Sequence, residues 1–217
     1  MSSRRSAGSV PVVAIDGPAG SGKSTVARTV ARRLGLGYLD TGAMYRSVAS
    51  AALRDGVDPG DAAALAKLAS SLDIEMGERV LIDGVDATAA IRGPEVTVIV
   101  STVSAHPAVR AELVGRQRAW VRAHGGGVVE GRDIGTVVFP NADLKVFLTA
   151  SEDERARRRQ RDEAAPDRET VAEALARRDT LDSTRQVSPL RPADDAVVID
   201  TTARTVDDVV EEVLDRL

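Results

Sequence analysis

Residues Gly17-Pro-Ala-Gly-Ser-Gly-Lys-Ser-Thr25 follow an apolar run over 10–15 and Asp16, and they match the G-x-x-x-x-G-K-[ST] pattern without a mismatch. A chain with this feature must turn sharply from a buried strand into a helix. The glycines at 17, 20 and 22 permit that turn and let successive N–H groups point inward, where they can hold phosphate oxygens. The helix then begins beneath the phosphates and its N-terminal partial charge favours an anion. Lys23 is placed to reach the β and γ phosphates, and the Ser24 hydroxyl to bind magnesium. One ligand is therefore expected to be a nucleoside triphosphate; the alternative is a glycine-rich turn without a ligand.

A length of 217 residues suits one α/β domain with small insertions. Aromatic residues make up only 2%, so Val, Leu, Ile and Ala must fill the core and base stacking on aromatic platforms is not expected. The net charge of -4 argues against a broad nucleic-acid surface, although the arginines could still gather in one anion pocket. Lysine occurs only at 23, 67 and 145, which makes Lys23 hard to dismiss as background. With no cysteine, disulfides, thiolate zinc sites and cysteine nucleophiles are excluded. Residues 1–9 are polar and basic without the apolar stretch of a signal peptide, and no later run is long enough to span a bilayer. A cytoplasmic protein with a flexible tail over 1–9 is expected, without a membrane or nucleic-acid partner.

The pattern predicts a strand ending at Asp16, a helix over 23–34 closed by Gly35, and a short strand ending at Asp40. Thr41 is expected to cap the next helix, which the Asp55-Gly56 pair ends; a further helix is expected over 58–72. Two short alternating segments, 74–76 and 80–83, predict a small antiparallel sheet. A helix over 107–123 and strands over 127–131 and 143–149 follow. Ser151 can cap a basic helix through Arg161, Asp167 another through about 181, and a last strand over 196–200 precedes a C-terminal helix. Strands alternating with helices predict a parallel sheet covered on both faces, with ligands at the carboxyl ends of the strands.

Further polar groups stand at those ends. Arg46, in Asp40-Thr-Gly-Ala-Met-Tyr-Arg46, can bind a second anion or remain solvated. Glu130-Gly-Arg-Asp133 can read base and phosphate, or form a surface ion pair. Arg178 and Asp182 lie one helical turn apart, facing one ligand or simply each other, with Arg185 in the adjoining turn. The arginines at 155, 157, 158, 159 and 161 form either a solvated face or a helix that closes over a transferred phosphoryl group. His106 and His124 are assigned no catalytic role.

Four segments together resemble the bacterial cytidylate kinase family of nucleoside monophosphate kinases, over nearly the entire chain: 15–25, 40–46, Gly131-Arg-Asp-Ile-Gly-Thr-Val-Val-Phe-Pro140 and Arg185-Gln-Val-Ser-Pro-Leu190. The resemblance implies a P-loop kinase fold of class α/β, a parallel five-stranded sheet flanked by helices, with an inserted monophosphate-binding domain and a helical lid. It implies a core over 10–40, 104–150 and 190–217, an insert over 41–103, a lid over 151–166, and an acceptor-site helix and loop over 167–189. It further implies ATP binding by Gly17, Pro18, Ala19, Gly20, Ser21, Gly22, Lys23, Ser24 and Thr25, with Mg2+ held at Ser24. Thr41, Ser101, Arg110 and Asp133 match contacts to the cytosine side of the acceptor, and Arg178 and Asp182 match contacts to its ribose. Arg46, Arg132 and Arg185 match the clamp on its phosphate, and Arg158 is the leading lid residue. Lys23, Arg132, Arg158 and Arg185 would stabilise the transferring phosphoryl group. Thr41 replaces the serine of some members, and Glu130 stands where some have aspartate. The expected activity is transfer of the γ-phosphoryl group of MgATP to CMP or dCMP by a monomer. The alternatives are another small-molecule kinase acting on UMP, dTMP or shikimate, and a nucleotide-dependent regulatory module without an acceptor site.

Overall fold

The computed structural model describes residues 10–163 and 167–217. The chain opens with β1 (Val12–Asp16), α1 (Lys23–Leu34), β2 (Tyr38–Asp40), α2 (Thr41–Asp55) and α3 (Ala62–Ser71). Three short strands follow, β3 (Ile74–Met76), β4 (Val80–Ile82) and β5 (Val85–Asp86), then α4 (Pro94–Ala105) and α5 (Pro107–His124). The remainder is β6 (Gly127–Gly131), β7 (Leu144–Thr149), α6 (Glu152–Glu163), α7 (Arg168–Ser183), β8 (Val197–Asp200) and α8 (Val206–Leu214). Five parallel strands form one sheet in the order β2-β6-β1-β7-β8, as expected of the P-loop kinase fold, and β3, β4 and β5 form a separate antiparallel sheet.

Alternation along β1 divides the interior. Val13 and Ile15 face α1 and α8, whereas Ala14 faces the other side with Leu39 and Val129. That second core runs without a break through α2, α3, α4 and α5 to Val80 and Ile82 of the small sheet. Register places Asp16 beside Gly131 and Phe147, so the carboxyl ends of the central strands share one edge. At the opposite edge the single tryptophan, Trp120, packs over Gly37 and Gly127 and stacks on His124 with ring centroids 4.0 Å apart.

Several sequence expectations need revision. Asp40, not Thr41, caps α2, its carboxylate accepting from the Ala43 N–H at 3.0 Å. Thr41 is already helical, and its hydroxyl is used elsewhere, on the Glu130 carbonyl at 2.7 Å. The helix expected from 58 starts at Ala62 under an Asp61 cap. Helix α4 has no counterpart in the sequence reading; its run of Val, Thr and Ile favours strands in isolation, and packing between α2 and α5 holds it helical. The expected flexible tail over 1–9 lies outside the described residues, as do the last three residues of the expected lid.

Candidate active site

The phosphate loop closes against the end of β7. A Cβ on Gly17, at φ +147°, would lie 2.1 Å from the Leu148 carbonyl oxygen, so no other residue fits there. Beyond the loop, Lys23 is buried and donates its ammonium to the Pro18 carbonyl at 2.6 Å. Burial, then the neighbouring Arg132, push its pKa down to about 7 against the opposing pull of Glu130. Ser24 donates to Glu130 Oε2 at 3.0 Å, and the Tyr38 hydroxyl donates to Oε1 of the same carboxylate. Burial, followed by the nearby Asp40, raises the Glu130 pKa. A hydroxyl and a carboxylate on hard oxygens, next to a phosphate loop, are the donors Mg2+ takes from a protein when phosphates and water complete its shell. These two residues therefore fit the ion.

Outside this loop a cleft of about 420 Å3 extends to α6 and the start of α8. Arg158 lines it, donating to Thr201 through Nη1 (2.9 Å) and Nη2 (2.7 Å) while its Nε donates to Glu154 at 2.7 Å. Thr25, Arg157, Arg159, Arg161 and Arg204 share the same walls.

A second pocket is built from segments far apart in sequence. Thr41 and Tyr45 enter from α2, Ser104 from α4, Arg110 from α5, Arg132 and Asp133 from the end of β6, and Arg178, Asp182 and Arg185 from α7 and its exit. Arg110 donates to the Asp133 carboxylate in full burial, its guanidinium 5.5 Å above the Tyr45 ring. Burial raises the Asp133 pKa, while Arg110 opposes. Arg132 donates to Asp182 at 2.9 Å, and Arg178 stands 4.0 Å from the same oxygen. Burial alone would raise Asp182, but these two arginines hold its pKa below the ordinary carboxylate value. The cations are less well served. Burial and then Arg132 lower Arg178 to about 9, burial lowers Arg185, and the buried Nε and Nη2 of Arg185 have no hydrogen-bond partner among the described residues. Crowded arginines with unused donors are the electrostatic mould of an anion. The cavity itself measures about 60 Å3, well below the several hundred of a formed ligand pocket.

Two of the sequence candidates stand aside from that pocket. Arg46 donates to the Ile91 carbonyl (3.2 Å) and Thr97 Oγ1 (3.0 Å); burial and then Arg159 lower its pKa to about 10. Ser101 does not line the pocket; Ser104, one turn on, does, and donates to the Ser101 carbonyl at 3.1 Å. Sequence reasoning passed over Tyr45, although it lies inside the quoted 40–46 segment, and Tyr38. It also passed over Asp16, whose buried carboxylate accepts from the Ile134 N–H (2.8 Å) and the Gly135 N–H (2.7 Å). A carboxylate directly before a phosphate loop, at a strand end, was the signal available for it.

Residues 13–217 match the family model described as cytidylate kinase. The chain belongs to the cytidylate kinase family. With that family it belongs to the nucleoside monophosphate kinases, which are enzymes. It is 53% identical over 213 residues to a cytidylate kinase of Geobacillus kaustophilus, covering 94% of each chain. It is also 52% identical over 212 residues to a bifunctional pantoate ligase/cytidylate kinase of a Synechococcus species, 93% of this chain but only 44% of that longer protein. Among solved structures, a gluconokinase from Sinorhizobium meliloti shares the fold at a TM-score of 0.51 and 14% identity, with 95% of this chain and 90% of the other covered. Among the described residues no helix is long and apolar enough to cross a membrane.

Proposed function

We propose that this chain transfers the γ-phosphoryl group of MgATP to CMP or dCMP, forming ADP and CDP or dCDP. The single observation that carries the reading is the pairing of a phosphate loop with a second, arginine-lined pocket that also holds the buried Arg110–Asp133 pair. Family membership supports ATP as donor and cytidylate as acceptor. In this reading residues 17–25 hold the triphosphate, and Lys23 leaves the Pro18 carbonyl to meet it. Ser24 and Glu130 hold Mg2+, which when bound neutralises charge on the phosphates. Arg110 and Asp133, with Thr41 and Ser101 or its neighbour Ser104, face the cytosine edge. Asp182 and Arg178 take the ribose, Arg132, Arg185 and Arg46 the acceptor phosphate, and Arg158 the transferring group.

The chemistry asks little of any one side chain. An acceptor phosphate oxygen is already an anionic nucleophile, so the protein's task is to align two anions that repel each other and to exclude water. Buried cations short of partners perform that task, since their electrostatic cost in the free protein is relieved by the ligands. The core, insert, lid and acceptor segments given above, a monomeric state and a cytoplasmic location complete the proposal.

Supplying MgATP with CMP, dCMP, UMP, dTMP or shikimate in turn tests it. ADP should form steadily with CMP and dCMP and far more slowly with the rest. Fast turnover with UMP or shikimate would favour another small-molecule kinase, and none with any acceptor would favour a regulatory module.

A further inference from the structure

The arginine-rich stretch of α6 does not present one uniform face. Its first member, Arg155, has a side chain only 7% exposed. Its Nε donates to the Ala150 carbonyl (3.2 Å), and its Nη1 donates both to the Ala19 carbonyl of the phosphate loop (3.2 Å) and to the Asp179 carboxylate on α7. The Ala19 side chain joins Ala156 of α6 and Val171 and Leu175 of α7 in a small apolar cluster separate from the two large cores. The backbones approach closely as well: a Cβ on Gly20 would lie 2.9 Å from the Arg155 carbonyl oxygen. Phosphate loop, α6 and α7 therefore converge on one guanidinium. Asp179 directly follows Arg178 and stands three residues before Asp182, both walls of the second pocket.

This junction has a means of sensing the donor. Lys23 is bonded to the Pro18 carbonyl, one residue before Ala19, and must release it to meet a phosphate. Re-aiming that peptide alters the carbonyl next to it, the one Arg155 holds. A planar guanidinium with donors fixed in a fork transmits such a change, whereas a lone ammonium would swivel. Separating a buried cation from its carboxylate is costly, so the partners shift together.

We propose that Arg155 is a positioning residue that relays donor occupancy from the phosphate loop to α7, so that nucleotide bound at the first site orders the walls of the second. The relay rests on the proposed donor and acceptor sites. Its test begins with the donor alone: hydrogen exchange of the full chain, with and without a non-hydrolysable ATP analogue and Mg2+. In the wild type, exchange over 171–183 should slow about fivefold or more on binding the analogue, a coupling of ordinary size. In Arg155→Lys and in Asp179→Asn that slowing should shrink below about twofold while the analogue's own Kd stays within about threefold. Failure of α7 to respond in the wild type would overturn the relay, as would full slowing in both variants. Loss of slowing together with a collapse in analogue affinity would reduce Arg155 to a prop of the loop and overturn it equally. In the second arm, the ratio of CMP Kd without and with the analogue should exceed one in the wild type and approach one in both variants. Protection of α7 by the analogue in a protein that does not bind CMP would refute the acceptor assignment and leave the relay standing.

Discussion

Lys23 carries the sharpest residue-scale prediction, because the same burial that lowers its pKa to about 7 also makes its charge depend on ligand. With its pKa lowered, the group gives up its proton more readily in the free protein than an exposed lysine does, and adjacent phosphates would raise the pKa again. Binding of an ATP analogue should therefore take up protons at pH 8 and much fewer below pH 6. Calorimetry in two buffers of different ionisation heat measures this, and proton release would contradict it. Lys23→Ala should abolish the uptake and lower turnover on the order of 100-fold, a barrier of roughly 3 kcal/mol. In the second pocket, Asp133→Asn should reduce the CMP to UMP ratio of kcat/KM, since an ill-matched buried base edge costs about 1 to 3 kcal/mol. Asp182→Asn should instead raise the KM of both at an unchanged ratio, because Asp182 steadies Arg132 and Arg178. A collapse of the ratio in Asp182→Asn alone would reverse the two roles.

Helices were legible from the sequence where local chemistry decides them. Asp167 caps α7 with its own side chain and glycines in left-handed conformation close α1 and α2, as read, whereas the Asp61 and Thr205 caps of α3 and α8 were not singled out. Adjacent Asp40 and Thr41 could both cap, and the choice fell to a contact 89 residues away, the Glu130 carbonyl that engages the Thr41 hydroxyl. Asp40→Ala should accordingly cost about 1 kcal/mol of stability in denaturant unfolding, and Thr41→Val should leave the α2 start intact. A larger loss in exchange protection of α2 from Thr41→Val would restore Thr41 as the cap. Arg155 was illegible for the same kind of reason: two of its three acceptors lie 24 and 136 residues away, and nothing in a run of arginines marks which one turns inward. The phosphate loop was legible because strand, glycines and lysine are contiguous, whereas the second pocket draws on α2, α4, α5, β6 and α7: Arg132, Asp133, Arg178, Asp182 and Arg185 stood out singly at strand and helix ends, each with a plain ion-pair alternative, and only the family pattern joined them.

Across the whole molecule, the buried ends of the central strands set an opposing pH dependence. Burial raises the Asp16 pKa from 3.8 to about 6, with the Ile134 and Gly135 amides pulling the other way. A folded-state pKa above the unfolded value contributes stability below the unfolded pKa and loses it as pH rises through the folded one. The stability of the wild type relative to Asp16→Asn should thus fall by on the order of 1 kcal/mol between pH 5 and 7 in urea unfolding, and a rise would refute the burial argument. Trp120 answers to different events. It is the sole indole, it sits where β6 begins at Gly127, and the proposed ligand groups lie where that strand ends. Its emission should consequently be nearly blind to nucleotide, and should change when the stack on His124 opens. A fluorimeter would then follow the unfolding of this enzyme without a label, in the presence of its own substrates.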